Sequence, residues 1–163
     1  AVKSASHPHH FMAVTKGGRS AIAATSGNED CHIILRGGHT PNYDRESVDA
    51  AALELSRAGV APRIMIDSSH ANSSKKPENQ PLVVADIAGQ LAGGEQRITG
   101  VMIESNLVAG RQDVVPGKPL THGQSITDGC IDWETTVSAL NTLANAVSAR
   151  RNVRSRKLQE RSA

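Results

Sequence analysis

The sequence predicts an α/β protein in which short parallel strands alternate with helices. Three apolar runs, Ile33-Ile34-Leu35, Ile64-Met65-Ile66 and Ile98 to Ile103, each give way abruptly to charged or small polar residues. Buried strands look like this where they leave a core. The runs recur at roughly thirty to forty residues, about one strand–helix unit each, and stretches with apolar residues at helical spacing separate them. In parallel α/β sheets and barrels the chemistry gathers at the C-terminal strand ends. If the runs are neighbours, Arg36, His70 and Glu104, which follow them, converge on one rim.

The totals narrow the function classes. A chain of 163 residues is one domain's worth and can bury a real core. Its formal net charge of +2 demands no polyanionic partner, and 2% aromatics argue against a base-stacking surface, so no nucleic acid is expected. Cys31 and Cys130 make no disulfide framework. No apolar run approaches the roughly twenty residues of a membrane helix, and no signal peptide is visible. The expectation is a soluble, cytoplasmic protein without a membrane partner.

Taken in order, Ser6 to His10 holds three histidines, but Pro8 interrupts them and no acid is near, so an exposed cluster is expected. Phe11 to Thr25 reads as a β-hairpin, with Gly17-Gly18 supplying the permissive turn. Ser26 to Asp30 is a turn and Cys31 to Leu35 the first buried strand. Arg36-Gly37-Gly38 follows. An arginine offers a planar fork of donors to a phosphate and glycines let one approach the backbone, although a surface turn explains such a tripeptide, taken alone, most of the time. A helix from about Arg45 to Ala58 is expected, N-capped by Asp44, with Val48, Ala52 and Leu55 on its buried face and Gly59 at its end.

The second strand ends in Asp67-Ser-Ser-His70-Ala-Asn72. Imidazole nitrogen suits divalent transition metals, and Asp67 suits either support of that site or a purely structural role. Lys75 and Lys76 are expected to solvate a polar loop. A helix follows from about Pro81 to Ala92, with Val83, Ile87 and Leu91 on one face, and then the third strand, closing on Glu104. Residues 106 to 124 read as a long aperiodic loop that delivers Ser125-Ile-Thr-Asp128. A last helix is expected from about Trp133 to Ala149, capped by Asp132, with Val137, Leu140, Ala144 and Val147 in one stripe. Arg150 to Ala163 reads as a frayed, solvated basic extension.

Six collinear motifs, Thr25-Ser-Gly-Asn28, Ile34-Leu-Arg-Gly-Gly38, Pro41-Asn-Tyr43, Asp67-x-Ser-His-x-Asn72, Glu104-Ser105 and Ser125-Ile-Thr-Asp128, resemble class I DAHP synthase (3-deoxy-D-arabino-heptulosonate-7-phosphate synthase). The resemblance reaches to about Arg151. It implies the C-terminal part of a (β/α)8 TIM barrel, about three strand–helix units preceded by the hairpin (about 11–25), without the family's N-terminal half. Residues 1–151 would be the barrel portion and 152–163 a basic extension.

The resemblance further implies a condensation of phosphoenolpyruvate with erythrose 4-phosphate that yields DAHP and phosphate. His70, Glu104 and Asp128 would be ligands of a divalent ion (Mn, Fe, Co or Zn), and Arg36 would hold the phosphate of phosphoenolpyruvate. Phe11 matches a position of the aromatic amino-acid effector site, with Ala13 standing where phenylalanine-sensitive members have serine. The family's ligand cysteine lies in the missing portion and matches neither Cys31 nor Cys130. The complete enzyme would be a homo-oligomer and this chain alone inactive. The alternatives are an inactive relative serving as an interaction module, and an independent metal-dependent hydrolase.

Overall fold

The computed structural model describes residues 1–161. A one-turn helix, α1 (Val2–Ala5), leads into a hairpin of β1 (His9–Val14) and β2 (Ser20–Thr25). Strand β3 (Ile33–Leu35), helix α2 (Arg45–Arg57), strand β4 (Ile64–Asp67), helix α3 (Gln80–Ala92) and strand β5 (Ile98–Met102) follow. Short strands β6 (Val108–Arg111) and β7 (Gln124–Ser125) precede the long helix α4 (Trp133–Arg161).

The hairpin begins earlier than Phe11, because His9 and His10 pair with Thr25 and Ala24. At its turn Gly18 has φ +75, a left-handed conformation that glycine adopts without a Cβ penalty. The histidines remain exposed, as expected. His7 Nδ1 and His9 Nε2 lie 2.8 and 2.7 Å from the carbonyl oxygens of Lys3 and Ser4, so two of them serve α1, a helix the sequence pattern did not signal.

The apolar runs form one parallel sheet in the order β3-β4-β5, which makes the predicted neighbours adjacent. Asp44 caps α2, its carboxylate accepting the Ser47 N–H at 2.8 Å. Val48, Ala52 and Leu55 of α2 and Val83, Ile87 and Leu91 of α3 bury against Ile64, Ile66 and Ile98 of the sheet, joined by Ala146 of α4. Side chains alternate along a strand, so the register Ile34–Met65–Gly100 belongs to the opposite face. Ile34 is 47% exposed there. Among the described residues the helices cover one face of the sheet only.

Two expectations change. The stretch 106–124 contains β6, which pairs parallel to β7, and Gly110 bridges to Cys130. Strands this short leave no measurable period in a sequence. Helix α4 runs on past Ala149 to Arg161. No glycine or proline interrupts it, and Arg150 donates to the carbonyls of Glu95 and Ile98 at 3.2 and 3.1 Å. Ser162 and Ala163, the end of the expected extension, lie outside the described residues. No helix among the described residues is long and apolar enough to cross a membrane.

Candidate metal centre

Each strand end is tied to its neighbour by a buried amide. Asn72, 3% exposed, donates to the carbonyls of Leu35 (3.1 Å) and Asp67 (2.7 Å) and accepts the Asn42 N–H at 2.8 Å. It therefore joins the exits of β3 and β4. Gly37 sits between them with φ +75, and a Cβ there would stand 2.7 Å from Ala71 Cβ and 3.0 Å from Asn72 N. Its lack of a side chain serves this close approach of protein to protein. Gly38 faces open space, so only that glycine fits the phosphate-approach reading.

Gln80 does for Glu104 what Asn72 does for β3. It is 0% exposed, its Oε1 accepts the Glu104 N–H at 2.9 Å and its Nε2 donates to the Glu104 carbonyl at 2.9 Å. A side-chain amide answering both backbone groups of one residue fixes where that residue's carboxylate projects. Asp128 arrives from the loop after β7, where Thr127 N–H donates to Ser125 Oγ at 3.2 Å. The signal for Gln80 was a polar residue opening an otherwise apolar helix, Gln80-Pro-Leu-Val-Val, but nothing local named its partner.

These supports bring three of the predicted residues together. One ligand atom each from His70, Glu104 and Asp128 lies within 4.8 Å of the others, with His70 Nε2 3.8 Å from Glu104 Oε1. Asp67 Oδ2 and Ser69 Oγ lie 2.6 and 2.8 Å from His70 Nδ1. Arg36 and Gln80 line the same pocket, about 330 Å³ in volume. Lys75 lines it too while staying exposed. Ser74 and Lys75 reach that position with φ of 57 and 59, a left-handed backbone that side-chain-bearing residues rarely adopt. Phe11 lies elsewhere, on the hairpin opposite Ala23 and 52% exposed.

The electrostatics suit a cation. Burial pushes Glu104 above the usual carboxylate range; His70 pulls against it, and the neighbouring Asp128 and Asp67 carboxylates add to the rise. A carboxyl raised in the folded state weighs against folding above its folded pKa and not below its unfolded one. Glu104→Gln is therefore expected to raise the melting temperature of the metal-free protein at pH 7, to leave it unchanged near pH 4, and to reduce the rise produced by Mn²⁺. Calorimetric scans at both pH values check this; a lower pH 7 melting temperature would contradict it.

One imidazole and two carboxylates form a donor set that fits a divalent first-row ion. Cys130 is not among the converging donors. Burial pushes its thiol up, against an opposing hydrogen bond from Ser125, and the charges of Glu104 and Asp128 add to the rise.

The profile of the DAHP synthetase I family matches residues 1–141. The chain belongs to that family. It is 55% identical over 151 residues to the Escherichia coli K12 protein named phospho-2-dehydro-3-deoxyheptonate aldolase, Phe-sensitive, covering 93% of this chain and 43% of that one. A Schizosaccharomyces pombe protein of the same name, tyrosine-inhibited, is 51% identical over 156 residues, covering 93% and 42%. The solved phospho-2-dehydro-3-deoxyheptonate aldolase of Francisella tularensis SCHU S4 superimposes with a TM-score of 0.86 at 52% identity, covering 91% of this chain and 43% of that one. This member of the DAHP synthetase I family thus spans about 43% of the length of such relatives.

Proposed function

We propose that this chain is the C-terminal portion of a DAHP synthase, which condenses phosphoenolpyruvate with erythrose 4-phosphate to DAHP and phosphate, the first step of the shikimate pathway. The observation that carries this reading is the meeting of one imidazole and two carboxylates within 4.8 Å, in a pocket that Arg36 also lines, in a chain of this family. On this reading the three strand–helix units are part of an eight-stranded (β/α) barrel. Residues 1–151 are the barrel portion, residues 152–163 the extension, and the uncovered sheet face looks into the barrel interior. An inactive interaction module or an independent hydrolase draws no support from the comparisons.

His70, Glu104 and Asp128 hold a divalent ion of the Mn, Fe, Co or Zn type. Bound there, such an ion supplies Lewis acidity to the aldehyde carbonyl. Arg36 aligns its planar donors on the phosphate of phosphoenolpyruvate, and Lys75 adds positive charge on the same rim. With the enol ester so held, its C3 bonds to the aldehyde carbon, water adds at C2 and phosphate leaves. The hairpin with Phe11 is proposed as an aromatic amino-acid effector surface, in keeping with relatives named Phe-sensitive and tyrosine-inhibited. The complete enzyme is proposed to be a homo-oligomer.

The test is Arg36→Ala in a complete enzyme carrying this segment. Loss of a charge-assisted contact of about 1.5–3 kcal/mol raises the KM for phosphoenolpyruvate roughly ten- to a hundredfold and leaves that for erythrose 4-phosphate nearly unchanged. An effect confined to erythrose 4-phosphate would place the arginine at the other substrate and overturn this part of the reading.

A further inference from the structure

We propose that Asp67 is the positioning residue of the metal centre: it locks His70 in the tautomer protonated at Nδ1, leaving the Nε2 lone pair free for a cation. The inference rests on the metal-site reading above for its consequence, but not for its geometry. Asp67 ends β4 and is 0% exposed. Its Oδ1 is taken by two donors from Ser69, the backbone N–H at 2.8 Å and the hydroxyl at 2.6 Å. Its Oδ2 is left for His70 Nδ1 at 2.6 Å.

A carboxylate can only accept, so the contact at Oδ2 requires the proton on Nδ1. Ser69 Oγ also lies 2.8 Å from Nδ1. Because that hydroxyl gives its proton to Asp67, it too presents only lone pairs to the ring. A neutral imidazole has one N–H, and two acceptors claim it. Nε2 is therefore unprotonated on the side where Glu104 Oε1 lies 3.8 Å away. The ring is carried by a residue with φ 47, a left-handed backbone that side-chain-bearing residues rarely adopt, and the buried Asp67–Ser69 pair holds it in that setting.

The sharp consequence is what Asp67→Asn does. The two Ser69 donors keep the amide oxygen at the Oδ1 position, since the reverse orientation would set an NH2 group against a backbone N–H. The NH2 then faces His70 Nδ1 and can only donate. Nδ1 becomes the acceptor, the proton moves to Nε2, and the site presents an N–H where it presented a lone pair. The substitution is nearly isosteric and inverts the function of the histidine without removing it.

The experiment is magic-angle-spinning ¹⁵N NMR of the full chain labelled at histidine, at a pH where imidazole is neutral and without metal, with His70→Gln assigning the His70 signals among the seven histidines. A parallel titration uses Mn²⁺. The wild type is expected to show protonated Nδ1 and bare Nε2. Asp67→Asn is expected to show the reverse and to bind Mn²⁺ about 10- to 100-fold more weakly. Weaker binding with an unchanged tautomer would make Asp67 merely structural and overturn the proposal, as would an unchanged tautomer and affinity. If Asp67→Asn does not fold, the wild-type spectrum decides: protonated Nε2 refutes the lock, protonated Nδ1 supports it. Protonated Nδ1 in a wild type that binds no Mn²⁺ upholds the lock and sinks the metal reading alone.

Discussion

Replacing His70 by alanine is expected to weaken Mn²⁺ binding by at least about a hundredfold. Structural zinc sites with four ligands are worth about 10–16 kcal/mol, or about 3 kcal/mol per ligand, and that is roughly a hundredfold in affinity. The imidazole is the only nitrogen among the three converging donors, and its loss leaves two carboxylates that already repel one another, since Asp128 helps to raise Glu104. Calorimetric titration with Mn²⁺ reads the effect, and in a complete enzyme carrying this segment turnover is expected to fall with metal content. His10→Ala, on the exposed hairpin, is the control and should change neither. Unaltered Mn²⁺ affinity in His70→Ala would remove the histidine from the site.

The 163-residue chain by itself is expected to associate in solution and to form no DAHP. Strands β3 and β5 each have one partner in the three-stranded sheet, and unpaired sheet edges template association. Ile34 is 47% exposed on the open face, and Met12, Val14 and Ile22 of the hairpin are 72%, 73% and 73% exposed. Apolar surface of this kind favours its own burial at about 25 cal/mol per Å². The substrates of the proposed reaction bring two phosphates and a carboxylate, whereas Arg36 and Lys75 are the basic residues lining the pocket. Sedimentation velocity, run beside an assay of phosphate release with both substrates and Mn²⁺, tests both halves. The N-terminal part of a relative, supplied in trans, is expected to restore turnover. A monodisperse monomer with substantial activity would show that the open face needs no further wall.

Much of the sheet and its site was legible in the sequence. The β-branched runs marked β3, β4 and β5, and Val48, Ala52, Leu55, Val83, Ile87 and Leu91 marked the faces of α2 and α3 that bury against them. Burial of an apolar face repeats along the chain with the period of the element, so sequence alone determined these units. A parallel arrangement then carries the residues after each strand to one edge, which is why Arg36, His70 and Glu104 could be placed on one rim. Asp128 came from its motif, not from periodicity.

Tertiary structure alone decided what holds those residues still. Gln80 meets Glu104 across 24 positions and Asn72 meets Leu35 across 37, and no local pattern encodes a hydrogen bond at such a separation. Gly37 looked like a phosphate cradle until Ala71 filled the space beside it. Lys75 stays exposed, as its polar loop suggested, and only the folded chain puts it on the lining of the pocket. Helix α4 continues past Ala149, and its Arg150 reaches the carbonyls of Glu95 and Ile98, more than fifty positions away. Apolar periodicity reports which face leaves water. Which polar atoms meet depends on the three-dimensional approach of segments distant in sequence, and the folded chain sets that.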